Sequence, residues 1–124
     1  MTNKTKQATT TTATPSVFDP AKVELKDQLP KEQVRLVQAW VAANPQATIV
    51  ATAIAEGSLP AYLRSDTGKR ADICRMLPEG MQVVKFIKAA RPYGGGYTDL
   101  VAALVGGYST SAVGYGNPVV RLEV

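Results

Sequence analysis

Between Lys31 and Ala43 the residues Val34, Val37 and Val41 recur on one row, with Leu36 and Trp40 beside it. Residues three and four apart share a face of a helix, so this spacing predicts an amphipathic helix. Pro30 stands where a first-turn proline is tolerated and Asn44-Pro45 stops the run, which places the helix at 31–43. The next stretch, PQATIVATAIAE at 45–56, carries two patterns at once. Ile49, Val50, Ala53 and Ile54 fit one helical face, whereas Thr48, Val50, Thr52 and Ile54 alternate as a strand would. Asn44 as N-cap, Pro45 as first helical residue and Gly57 as terminator favour a second helix. SLPAYLRS then reads as a short helical turn opened by Ser58 and Pro60.

Beyond Gly68 the rhythm is regular. Ile73, Met76 and Leu77 share one side of 69–77, and Pro78-Glu79-Gly80 interrupts the run. Val83, Val84, Ile87 and Ala90 line a second apolar surface over 81–91. Tyr97, Leu100, Val101, Leu104, Val105 and Tyr108 mark a third helix at 97–106. The remainder divides into YSTSAV, GYGN and PVVRLEV, where Val120 and Leu122 alternate with Arg121 and Glu123. This predicts a terminal β-hairpin with strands 108–113 and 118–124. Residues 1–16, MTNKTKQATTTTATPS, carry almost no large apolar group, so ordering them would cost backbone entropy with little burial in return. They are expected to form a flexible arm. The rest, 17–124, is expected to be a single globular domain with an N-terminal helical part (17–66) and a C-terminal part (67–124).

The stretch RPYGGGYTDLVAALVGGY brackets the third helix with glycines and raises the question of a phosphate cradle. In the dinucleotide pattern G-x-G-x-x-G the third glycine would fall at Asp99, a carboxylate that repels a pyrophosphate, and the pattern needs a preceding strand. A P-loop fails as well, because Arg70 follows Gly68-Lys69 where a serine or threonine is required, and the leading glycine position is Leu63. The glycines are better explained as a tight reversal before the helix and a stop after it.

Composition narrows the function. The chain has 124 residues, 45% of them hydrophobic and 19% charged, which are globular values. With no histidine and one cysteine, Cys74, the common acid–base pairs and most zinc or copper sites are missing, so neither catalysis nor a metal or cofactor is expected. Cys74 is expected on an apolar helix face. No apolar run reaches the length of a membrane span and no secretory signal opens the chain, so a cytoplasmic location without membrane contact is expected. The net charge of +4 is concentrated in residues 64–91, where seven basic residues meet three acidic ones. A basic middle of this kind can attract nucleic acid or another acidic partner, or be no more than the charged outer surface of helices.

Helix 69–77, helix 81–91, a PYGGG turn, helix 97–106 and a terminal hairpin together resemble the winged helix-turn-helix superfamily in element order. The resemblance implies an α+β fold, mainly α, with a winged-helix-like three-helix unit and C-terminal hairpin preceded by two helices. It also implies duplex DNA binding, as a regulator or a replication or mobilisation accessory factor. The third helix would then turn Gly95, Gly96, Tyr97, Thr98, Asp99, Ala102 and Ala103 to the groove, and the wing would supply Tyr115, Asn117 and Arg121. Lys85, Lys88 and Arg91, three residues apart on the preceding helix, would grip the backbone. The third helix departs from the family in carrying no Lys or Arg, the residues that most often read guanine. An alternative therefore stands beside it: a phage- or plasmid-type interaction or assembly protein whose Ala- and Gly-rich third helix meets a host protein, a virion protein or a second copy of the chain.

Overall fold

A computed structural model describes residues 17–55 and 58–124; the expected arm at 1–16 lies outside the described residues. In chain order the elements are strand β1 (Val17–Phe18), helix α1 (Pro30–Ala43), strand β2 (Thr48–Ala51), helices α2 (Lys69–Cys74), α3 (Val83–Ala90) and α4 (Tyr97–Val105), and strand β3 (Val120–Glu123). Single 3-10 turns at Leu25–Asp27, Leu77–Glu79 and Arg91–Tyr93 link them. The chain is thus α+β and mainly helical, with a small antiparallel sheet.

The helix expected at 31–43 is α1, entered through Pro30. The helix expected at 45–56 is not formed. Thr48–Ala51 is a strand instead, paired antiparallel with β3 in the register Ile49↔Leu122 and Val50↔Arg121. Ile49 and Leu122 are fully buried, so the pairing covers both apolar side chains and satisfies backbone groups that a short isolated helix would leave to water. On its other edge β2 is capped by the entry to α3: the Ile49 amide donates to the Met81 carbonyl at 2.9 Å and the Val83 amide to that of Ala47 at 2.9 Å.

The terminal hairpin is also corrected. Residues 108–113 form turns, and β3 finds its partners far away, at β2 and at β1, where Phe18 lies opposite Leu122. β3 is the central strand of the order β1-β3-β2. The expected second strand of a wing is not formed, so the three C-terminal helices are followed by β3 alone.

Helix α4 is the axis of the core. Its residues Asp99 to Val105 are all buried, with α1, α2, β3 and the Leu25–Asp27 turn packed around it. Phe86, Leu100, Leu104, Ile73, Leu77 and Val37 complete a cluster running from Phe18 to Leu122; burying each such side chain is worth about 1.5–3 kcal/mol. Trp40 meets Phe18 edge-on at 5.7 Å, tying β1 to α1.

Candidate nucleic-acid interface

On α3, Val83, Phe86 and Ala90 face the core, which turns Val84, Lys85 and Lys88 to solvent. Arg91 continues this exposed row into the following 3-10 turn. Among the described residues none of Lys85, Lys88 and Arg91 makes an ion pair; the pairs that form are Arg35 with Glu32, Arg75 with Asp72, and Arg121 with Glu123. Arg91 lies beside a shallow concavity of about 380 Å³ lined also by Gln38, Ile87 and the segment Gly94–Thr98. Five of the residues singled out from sequence, Arg91, Gly95, Gly96, Tyr97 and Thr98, are therefore brought together, and Lys85 and Lys88 lie on the same helix as the approach to them.

The glycine turn plays a structural part there. Its amides are engaged within the chain: Gly94 donates to Arg91 at 2.9 Å and Gly95 to Ala90 at 3.0 Å. Gly96 donates to the Asp99 carboxylate at 2.9 Å. They are not free donors for a phosphate. Gly94 takes a φ of +80°, where a side chain is strained. At Gly95 a methyl group would collide with the Asp99 carboxylate and the Ile73 side chain.

Asp99, Ala102 and Ala103 do not face a groove. They are 4%, 2% and 0% exposed, so these three positions offer neither a groove contact nor a smooth outer face for a partner. Small residues allow close packing on every side, and here α1, α2 and β3 use that closeness. Of the helix, Thr98 is exposed and Tyr97 half-buried; burial raises the Tyr97 hydroxyl above its ordinary pKa.

The three residues assigned to the wing are dispersed. Tyr115 is held in place by the hydroxyl it shares: Gln33 Nε2 donates to it at 2.9 Å and it donates to the Lys26 carbonyl at 3.2 Å. Asn117 is exposed in the same loop, and Arg121 lies on β3 paired with Glu123. None of them lines the concavity at Arg91.

A buried polar cluster stands behind α4, and the sequence reading missed it. Asp99 accepts the Tyr108 hydroxyl at 2.6 Å in addition to the Gly96 amide. Tyr108 in turn meets the Cys74 thiol at 3.7 Å and the Tyr62 ring edge-on at 5.8 Å, while the Arg70 guanidinium stacks 3.9 Å above its ring. Burial pushes the Tyr62, Tyr108 and Cys74 groups above their ordinary pKa values; at Tyr108 the bond it donates to Asp99 adds to the shift. The Gly-x-x-Asp spacing at 96–99 was the available signal, since an acidic residue at the third helical position turns back onto the N-cap amide.

Among the described residues no group of histidine, cysteine or carboxylate side chains is placed to hold a metal, and no helix is long and apolar enough to cross a membrane. Comparison with known proteins finds no matching family model, no similar curated protein and no similar solved structure.

Proposed function

We propose that this chain is a non-enzymatic nucleic-acid-binding protein that contacts the phosphate backbone of a duplex through the exposed face of α3, with Arg91 and Thr98 at its end. The observation that carries the reading is the row Lys85, Lys88 and Arg91, exposed along α3 and the turn that follows it, with no ion-pair partner among the described residues. Cations so placed release counterions from a nucleic acid, giving affinity that falls with salt and carries little sequence information. A regulator or a replication or mobilisation accessory factor of the winged-helix type is the biological form this would take. Base reading is not assigned to α4, whose middle is buried.

Fluorescence anisotropy with a labelled random duplex tests the proposal. Binding at micromolar protein in low salt is expected, with log K falling linearly in log salt. Lys85→Gln, Lys88→Gln and Arg91→Gln together should reduce that slope by about 0.9 per phosphate contact removed. No binding at low salt, or an unchanged slope in the triple variant, overturns it.

A second reading rests on a different surface. Between β1 and α1 a groove of about 560 Å³ is lined by Val17, Val23, Leu36, Ala39 and Trp40, and Val17 and Val23 are largely exposed. An apolar groove of this kind favours the phage- or plasmid-type interaction or assembly role. Association with a protein partner that survives high salt and is lost in Val23→Glu supports that role; salt-sensitive association unaffected by the substitution opposes it.

A further inference from the structure

Among the described residues a further cavity lies away from α3. It is a cleft of about 850 Å³ between the segment 61–71 and the loop 108–113. Three cationic side chains, Arg64, Lys69 and Arg70, line it, and among the described residues no carboxylate does. None of the three forms an ion pair among the described residues.

Hydroxyls border the cleft on both sides in matched pairs. Ser65 Oγ lies 3.1 Å from Thr67 Oγ1, and Ser109 Oγ lies 2.9 Å from Ser111 Oγ across the way. The first rim is braced from outside, because Arg75 Nη2 donates to the Asp66 carbonyl at 2.5 Å. The aromatic wall is Tyr62 and Tyr108. Tyr108 is fixed by its bond to Asp99, and one face of its ring is covered by the guanidinium of Arg70, which is itself exposed beyond it. A guanidinium seated over a ring and exposed to solvent on its far side offers a second contact to another planar group.

We propose that this cleft binds a phosphate monoester carrying a planar base, a ligand of mononucleotide size. Its volume falls within the roughly 300–1,000 Å³ of small-molecule sites. The phosphate is held by Arg64 and Lys69 with the hydroxyl pairs, and the base stacks on Arg70. The same chemistry is offered by a free mononucleotide and by the 5′-phosphorylated end of a strand. The site contains no residue of α3, so it stands or falls separately from duplex binding.

Two-dimensional amide NMR of the full chain, titrated with AMP, adenosine and inorganic phosphate, tests it. Saturable shifts confined to 61–71 and 108–113 are expected with AMP, with at least tenfold weaker binding of adenosine. Arg64→Gln, on an exposed loop and without a structural partner, should weaken AMP at least fivefold. Arg70→Gln should weaken it further, and an unchanged spectrum outside the cleft separates lost binding from lost folding. Lys85→Gln with Lys88→Gln should leave AMP binding unaltered. In a parallel arm, a short single strand with a 5′-phosphate is compared with its 5′-hydroxyl form. A preference for the phosphorylated strand in the absence of AMP binding assigns the site to a strand end. The proposal is overturned if neither AMP nor the phosphorylated strand shifts the cleft amides at millimolar concentration. It is equally overturned if adenosine binds as well as AMP, or if Arg64→Gln changes nothing.

Discussion

Two glycines with nearly the same backbone angle separate the cost of a strained conformation from the cost of a crowded one. Gly94 and Gly106 have φ of +80° and +87°, and each ends a helical segment. A Cβ at Gly94 meets nothing within 4 Å, whereas one at Gly106 would stand 2.6 Å from the Asn117 carbonyl oxygen and 2.9 Å from that of Gly114. Those oxygens are main-chain atoms of the loop that folds back on α4, pinned by the Gly116 amide on the Val105 carbonyl at 2.6 Å and the Val119 amide on that of Ala103 at 2.9 Å. They cannot swing aside as the end of a side chain would. Gly94→Ala should therefore cost only the left-handed strain, about 1–2 kcal/mol. Gly106→Ala carries that strain and adds about 1–3 kcal/mol for the overpacked contact. The difference should appear as a urea midpoint lower by about 1 M in Gly106→Ala than in Gly94→Ala, at equal m-values. If the two variants unfold at the same midpoint, the loop at 114–117 is not packed against Gly106 and this account of α4's end is wrong.

Other outcomes follow from the polar cluster and from Tyr115. Tyr108→Phe removes a donor from the buried Asp99 and should destabilise by about 1–3 kcal/mol in urea titration; a change under about 0.5 kcal/mol would mean that Asp99 finds water instead. Because Tyr62, Tyr108 and Cys74 have raised folded pKa values, the fold retains their protons longer than the unfolded chain does. Stability is thus full below about pH 8.5 and falls as pH rises past the ordinary values of about 8.5 for Cys and 10 for Tyr. Each group contributes at most about 1.4 kcal/mol per pH unit, less at Tyr108, whose rim reaches solvent. Tyr62→Phe should flatten the slope above pH 10; an identical slope would remove Tyr62 from the argument. Tyr115→Phe should cost about 1 kcal/mol by leaving the Lys26 carbonyl without its donor and Gln33 with only its bond to the Leu25 carbonyl, and should leave nucleic-acid binding unchanged, as anisotropy would check.

The helices were legible where a single apolar row decided the matter, as Val34, Val37 and Val41 did for α1 and Leu100, Val101 and Leu104 for α4. At 48–51 both periods were present, and the choice was made by Leu122 and Val120, about seventy residues away, which no local pattern can report. Ala102 and Ala103 were misjudged because alanine fits an exposed face and a close helix contact equally well. Asp99 was taken for a surface charge, although its partner Tyr108 comes only nine residues later, after Gly106 has reversed the chain. In the expected wing, Ser109, Thr110, Ser111 and Gly114 have turn-forming composition, and the strand signal of Val113 alone did not outweigh them. Of the expected interface, the row on α3 was readable by spacing. The cleft at 61–71 was not, since it joins that segment to the distant loop 108–113.

The sheet order β1-β3-β2 also sets a timetable. β1 and β2 are not neighbours in the sheet; each joins it by pairing with β3, across about a hundred and about seventy residues of chain. Closing such spans costs entropy before any contact rewards it, so the sheet is the late step of folding and the nucleus belongs to the helices around α4. Until β3 docks, the edges of β1 and β2 that it covers stand unpaired beside Val17, Ile49 and Val50. That interval, rather than the finished fold, is when the chain is most exposed to aggregation.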